Sequence, residues 1–196
     1  MEKLLNKAKD IKIIFFDIDD TLRVKDTGFM PASLTHIFEI LHQKGILTGI
    51  ATGRNLCGVV PEIKALHPDF FVTANGAYVI DKSDQVIYKQ SLPQKVVLDI
   101  VEWLTTSSAE YVVYGADQVV ASAWSDTMQS AIEPIYGQLP IDPDYHLTHD
   151  IYQMVTMSEH DDQLTLPEKL SESVRMVRWH EHSSDIVPLN GSKAVG

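Results

Sequence analysis

The chain has 196 residues, with 16 Lys and Arg against 27 Asp and Glu, and a formal net charge of −11. This acidic balance excludes a general nucleic-acid binder, which needs a basic face for phosphate contacts, so any anionic ligand must be bound by a few local cations or a metal. The single cysteine excludes an internal disulfide framework and indicates a reducing compartment, and the longest apolar run is too short to span a bilayer. We therefore expect a cytoplasmic protein with no membrane or nucleic-acid partner.

The first ninety residues alternate between strand and helix patterns. Apolar runs predict buried strands at 11–16, 46–51 and 70–73, and apolar spacing of three and four residues predicts a helix over 31–44. A second helix is predicted over 55–67, with a kink at Pro61. Strands joined by helical crossovers predict an α/β fold with a doubly wound parallel sheet.

After residue 77 the pattern changes to hairpins mixed with helices, which is typical of an α+β unit. A hairpin is predicted at 78–80 and 86–88, and helices at 93–107, 125–136 and around 167–173. Further strands are predicted at 111–114, 118–121, 151–157, 175–179 and 185–187. We place the first domain at 1–81 and 185–196, and an inserted cap domain at 82–184.

Acidic residues directly follow the first predicted strand, in the segment Asp17-Ile-Asp19-Asp20-Thr21. Ligands of an open parallel sheet bind beyond the carboxyl ends of its strands. Two carboxylates there could divide covalent catalysis between a nucleophile and a proton carrier. The alternative interpretation is a polar loop in which Asp19 or Asp20 caps a turn.

Polar residues also follow the second and third strands and recur near the C-terminus. Thr52-Gly53-Arg54 is typical of an anion cradle at a strand-to-helix turn, although such turns are common. Asn75-Gly76 is explained by a turn alone, but it lies at the same predicted sheet edge. Gly191-Ser192-Lys193 could present a lysine to phosphate, although an isolated lysine is usually a solvated surface residue.

Together, DIDDT, ATGR, NGA and GSK resemble the motifs of the haloacid dehalogenase superfamily, in its Cof-like sugar-phosphatase branch. The resemblance implies that Asp17 is the nucleophile, Asp19 the general acid/base, and that Thr52 and Lys193 contact the transferred phosphoryl group. It implies substrate contacts by Thr21, Gly53, Arg54, Asn75 and Gly76. It also implies Mg²⁺ held by Asp17 and by the backbone carbonyl of Asp19. Glycine is frequent in the family at the position of Asp20.

The family's fourth motif, a GDxxND segment that supplies a further metal-binding carboxylate, does not follow Lys193. We therefore expect a truncated core that lacks its C-terminal part, and uncertain activity for these 196 residues. The leading prediction is a Mg²⁺-dependent phosphatase of a small phosphorylated metabolite. A phosphomutase or phosphotransferase, and a non-catalytic phosphate-binding protein, stay open as alternatives. A homodimer or a complementing C-terminal segment stays open as a partner.

Overall fold

A computed structural model of the protein describes residues 10–196, so residues 1–9 of the predicted first domain lie outside the described part. Two five-stranded sheets organise this part of the chain. The first sheet contains parallel strands followed by an antiparallel hairpin, and the second is antiparallel throughout. This arrangement confirms the predicted α/β class and the predicted change of pattern after residue 77.

The first sheet has the order β1-β2-β3-β4-β5, and β1 to β3 are parallel. Its strands are β1 Ile13–Phe16, β2 Leu47–Ala51, β3 Phe70–Thr73, β4 Tyr78–Asp81 and β5 Val86–Lys89. Within the described residues β1 is an edge strand, and Phe15 on it is 48% exposed.

Helix α1, Ser33–Gln43, packs Phe38 into a core shared with Ile18, Ile50 and Phe71. It ends where predicted, because Gly45 takes the left-handed backbone conformation that terminates helices (φ 69°).

The predicted helix over 55–67 is wrong in its extent. The segment forms a 3₁₀ turn at Leu56–Gly58 and one short helix, α2, at Pro61–Lys64. Val60 is extended because the ring of a following proline disfavours helical backbone, and Pro61 therefore begins a helix instead of kinking one.

The second sheet has the order β7-β6-β8-β10-β9. Its strands are β6 Glu110–Tyr114, β7 Val119–Ala121, β8 Gln153–Met157, β9 Val174–His180 and β10 Ser183–Pro188. The alternate residues Tyr111 and Val113 contribute to a core on one face, while Val112 and Tyr114 contribute to a core on the other. Both faces are therefore covered, as the continuous apolar runs require.

Helices cover both faces of the second sheet. Helix α3, Gln94–Thr106, buries its apolar side in one core. The predicted helix over 125–136 is divided into α4, Asp126–Ala131, and α5, Glu133–Tyr136, because Pro134 cannot donate the hydrogen bond that a continuous helix needs. Helix α6, Glu168–Ser171, lies within the stretch predicted to be helical.

The strands divide between the sheets near residues 90 and 183. Strand β5 pairs with β4 although it follows the predicted boundary at 82, and β10 pairs with β8 and β9 although 185–196 was assigned to the first domain. The continuous pairing of β10 from Ser183 to Pro188 explains this difference. The domain boundaries themselves stay a prediction.

None of the helices among residues 10–196 has the length and apolar character needed to cross a membrane.

Candidate active site

The predicted site residues meet at the carboxyl ends of β1, β2 and β3. A cavity of about 240 Å³ lies between these strand ends and the second sheet. It is lined by Asp17, Asp19, Lys25, Thr52, Gly53, Arg54, Asn75, Tyr114, Ile135, Tyr136, Val177, Trp179, Asp185 and Lys193. Seven of the nine predicted site residues line this cavity, and Thr21 and Gly76 do not.

Asp17 and Lys193 form an ion pair across almost the whole chain. The Lys193 Nζ lies 2.8 Å from Asp17 Oδ2, and the backbone N–H of Ile18 donates to Asp17 Oδ1 at 2.9 Å. Both side chains remain partly exposed, at 40% for Asp17 and 36% for Lys193, so a ligand in the cavity can reach them. The carboxylate is thus held in one orientation beside a positive charge.

A close backbone approach places Lys193 beside Asp17. Gly76 has a φ of 97°, and a Cβ atom there would lie 2.1 Å from the carbonyl oxygen of Ser192. Only glycine permits both this conformation and this contact. Gly76 therefore supports the segment that carries Lys193 instead of lining the cavity, which differs from its predicted role in substrate contact.

Asp19 and Arg54 form a second ion pair with two hydrogen bonds. The Arg54 Nε donates to Asp19 Oδ2 at 2.9 Å, and a terminal nitrogen donates to Oδ1 at 2.7 Å. The other terminal nitrogen donates to the Gly58 carbonyl at 2.9 Å. Arg54 is only 6% exposed. Its guanidinium therefore orients Asp19 and is not available as an open phosphate ligand, which differs from the predicted substrate contact.

Thr52 presents a hydroxyl at the end of β2. Its Oγ1 accepts the backbone N–H of Arg54 at 3.1 Å, which leaves the hydroxyl proton available to donate into the cavity. Thr21, by contrast, is exposed, and its backbone N–H lies 3.3 Å from the Ile18 carbonyl. The turn after β1 therefore directs Thr21 away from the cavity.

Asn75 connects the first sheet to the second. It takes a left-handed conformation (φ 53°), and its Nδ2 donates to Gln153 Oε1 and to Asp185 Oδ2, each at 2.9 Å. Gln153 is completely buried and its Nε2 lies 3.5 Å from the Gly53 carbonyl. Asn75 thus acts as more than a turn residue, because its amide joins the strand ends to β8 and β10.

Asp185 is a cavity residue that the sequence motifs do not identify. Burial raises its pKa to about 6, against the partly compensating effects of the Asn75 amide, the Trp179 indole, Lys193 and Arg175. The residue as a whole is only partly buried, and it lines the cavity. The only sequence signal is an acidic residue inside the apolar strand pattern of β10.

Two tyrosines complete the wall on the side of the second sheet. The Tyr136 hydroxyl accepts the Asn55 backbone N–H at 2.9 Å and donates to the Tyr114 hydroxyl at 3.0 Å. Burial raises the pKa of both phenols, that of Tyr114 well above its usual value. They therefore remain neutral and serve as hydrogen-bonding and packing groups.

The donor set fits a hard divalent cation in part. Asp17 offers a carboxylate, and the Asp19 backbone carbonyl is an oxygen ligand of the kind that Mg²⁺ accepts alongside water and substrate phosphate. Within residues 10–196 there is no cluster of three or more His, Cys, Asp and Glu side chains with metal-binding geometry.

Comparison with known proteins identifies the same family as the motifs do. Residues 14–196 match the family described as haloacid dehalogenase-like hydrolase. A Streptococcus pyogenes protein, named as a bifunctional phosphatase/peptidyl-prolyl cis-trans isomerase, is 47% identical over 194 residues. That match covers 99% of this chain and 41% of the relative, so the chain spans less than half of that relative's length.

Solved structures share the fold. A Geobacillus kaustophilus protein has a TM-score of 0.81 and 32% identity, over 94% of this chain and 72% of its own. A sugar phosphatase of haloacid dehalogenase subclass IIB, BT4131, has a TM-score of 0.78 and 22% identity, over 94% of this chain and 73% of its own.

Proposed function

Because the chain belongs to the haloacid dehalogenase-like hydrolase family, we propose that it is a phosphatase that hydrolyses a small phosphorylated metabolite through an aspartyl-phosphate. The observation that carries this proposal is the Asp17–Lys193 ion pair beside the Thr52 hydroxyl, in one cavity at the strand ends. A nucleophile, a cation and a hydrogen-bond donor there match the needs of a transferred phosphoryl group.

In the first chemical step, a carboxylate oxygen of Asp17 attacks phosphorus and the bond to the substrate's ester oxygen breaks. The phosphoryl group is then an acyl phosphate on Asp17, and the leaving oxygen takes a proton. In the second step, water attacks the acyl phosphate, releasing inorganic phosphate and restoring the Asp17 carboxylate. Lys193 and Thr52 stabilise the negative charge of the phosphoryl oxygens in both steps.

We assign the proton transfers to Asp19, two residues after the nucleophile. Both of its oxygens accept hydrogen bonds from Arg54, and each oxygen keeps a second lone pair on which Asp19 can carry a proton. In this proposal Arg54 is a positioning residue that fixes the orientation of the Asp19 carboxylate. Gly53 allows close approach of a phosphoryl oxygen to the backbone at the same turn.

We also propose Mg²⁺ as the cofactor, held by the Asp17 carboxylate and the Asp19 backbone carbonyl. When bound, the ion supplies positive charge to a phosphate that would otherwise be repelled by Asp17. At 4 Å and an effective dielectric constant of 20, that repulsion is about 4 kcal/mol per pair of unit charges. Lys193 offsets part of it, because its ammonium contacts the same carboxylate.

A sugar phosphate is the substrate class that we favour. The cavity of about 240 Å³ is smaller than the roughly 300–1,000 Å³ of sites for drug-sized ligands, which favours a small metabolite. The fold neighbour BT4131 is named as a sugar phosphatase.

We place the protein in the cytoplasm because its one cysteine suits a reducing compartment. A homodimer or a complementing C-terminal segment is retained as a proposed partner.

The test is phosphate release from a panel of hexose and pentose phosphates with Mg²⁺ or with EDTA. We expect Mg²⁺-dependent release that Asp17→Asn abolishes and that the exposed-site control Asp162→Asn leaves unchanged. A hydroxylamine-sensitive phosphoryl label on the wild type, absent from Asp17→Asn, would support the covalent intermediate.

Other outcomes identify the alternatives. An isomeric phosphate in place of inorganic phosphate would indicate a mutase. Ligand binding without release or transfer of phosphate would refute the hydrolase and favour a phosphate-binding protein.

A further inference from the structure

Lys25 reaches the cavity from a loop that lies outside the family motifs. Its Nζ lies 5.2 Å from the ring centroid of Trp179 on β9, so a side chain from the loop after β1 contacts the second sheet. Both residues line the same cavity as Asp17 and Lys193. Lys25 itself is exposed, whereas the Trp179 ring is partly buried.

The loop that carries Lys25 is held in place by Asp20. The Asp20 carboxylate accepts the backbone N–H of Lys25 at 3.0 Å, and Asp20 has a φ of 57°. Val24 and Phe29 close the loop through a backbone hydrogen bond of 3.0 Å. Aspartate tolerates this left-handed conformation better than most residues and, unlike glycine, supplies the carboxylate. Asp20 therefore positions Lys25 at the cavity.

The cations of the cavity differ in their partners. Arg54 is paired with Asp19, and Lys193 is paired with Asp17. Lys25 has no carboxylate within ion-pair distance among the described residues, and its ammonium rests on an aromatic face. Asp185 lines the same cavity, but its Oδ2 accepts from Asn75. Lys25 is thus the lining cation that a ligand can bind without displacing an acidic partner.

Resting on the proposed phosphatase function, we propose that Lys25 selects substrates whose leaving group carries a second anionic group. At the first sheet, Lys193 lies beside Asp17 and binds the transferred phosphate. At the wall formed by the second sheet, Lys25 lies over Trp179 and binds the second anion. A carboxylate and a second phosphate share this chemistry. In a chain with a net charge of −11, such a substrate needs a dedicated local cation.

The experiment compares matched ligands by titration calorimetry of the full chain in EDTA, so that binding is measured without turnover. Sorbitol 6-phosphate and 6-phosphogluconate differ only in a terminal CH₂OH or carboxylate, and a hexitol 1,6-bisphosphate tests a second phosphate. We expect 6-phosphogluconate to bind about tenfold more tightly than sorbitol 6-phosphate, equivalent to about 1.4 kcal/mol. The bisphosphate arm shows which anion Lys25 prefers.

Variants identify the residue responsible. Lys25→Met keeps the apolar stem and should reduce the preference for 6-phosphogluconate over sorbitol 6-phosphate to within about twofold. Lys25→Arg keeps the positive charge and should retain the preference. Lys64→Met removes an exposed lysine outside the cavity and should change nothing. If the wild type shows no preference, or Lys25→Met keeps it, the proposal for Lys25 is wrong although the phosphatase function stands. If inorganic phosphate and all three esters fail to bind in EDTA and no ester releases phosphate with Mg²⁺, the proposed function itself fails and the selectivity with it.

Discussion

Asp185→Asn should make the protein more stable at neutral pH. The carboxyl has a pKa of about 6 in the folded protein, against an ordinary value of 3.8. A carboxyl whose pKa is raised by folding costs stability once it ionises, and the cost grows as the pH rises from about 4 to about 6. With 1.36 kcal/mol for each pH unit between the two pKa values, the upper limit is about 3 kcal/mol. Water in the adjoining cavity reduces it, so we expect about 1–2 kcal/mol at pH 7.5.

Urea denaturation of wild type and Asp185→Asn at pH values from 5 to 8 measures this effect. The asparagine oxygen can still accept from Asn75, and any other effect of the new amide on the free energy of unfolding is independent of pH. The informative quantity is therefore the change with pH. The stability advantage of the variant should grow by about 1 kcal/mol between pH 5 and 7.5. For Asp162→Asn, at an exposed position, the free energy of unfolding should change with pH in the same way as that of the wild type. A constant difference between wild type and Asp185→Asn across this range would refute the reasoning.

Two further substitutions test how the cavity is built. Gly76→Ala should lower the free energy of unfolding by at least about 2 kcal/mol, because the methyl group would meet the Ser192 carbonyl. The control Gly45→Ala has a similar positive φ and open space around it, so it should lower the free energy of unfolding by only about 1 kcal/mol. Equal losses of the two variants in urea denaturation would contradict this. Arg54→Met should lower the free energy of unfolding by about 2–3 kcal/mol in the same measurement. This is less than the roughly 3–5 kcal/mol lost when one partner of a fully buried ion pair is removed, because Asp19 is 29% exposed. A loss below about 1 kcal/mol would show that the Arg54–Asp19 pair does not hold the site.

The strand ends of the first sheet follow from local sequence. The apolar runs before Asp17, Thr52 and Asn75 are strands, and parallel pairing brings their carboxyl ends to one edge. The short distances between motifs along the chain therefore suffice to predict that these residues meet. The two helix predictions that were wrong failed at Pro61 and Pro134, where the proline effect on backbone conformation outweighed continuous apolar spacing.

The wall formed by the second sheet could not be predicted in the same way. Asp185 and Trp179 reach the cavity through antiparallel pairing of β9 and β10, and neither belongs to a recognisable motif. The role of Arg54 was also missed, since only the folded arrangement brings its guanidinium to Asp19. Contacts of this kind depend on how the two sheets pack, and single-sequence patterns carry little information about that packing.

The pairing of Asp17 with Lys193 also determines when the cavity can form. The two residues are separated by 176 positions, and Asn75 and Asp185 by 110. During synthesis the chain emerges from its N-terminus, so β1 to β3 can form while the cation beside the nucleophile has yet to be added. A nascent or prematurely terminated polypeptide would thus present Asp17 without its counter-charge. The assembled pocket consequently forms only after Lys193 has been synthesised, because it depends on contacts of high sequence separation, which are slow to close.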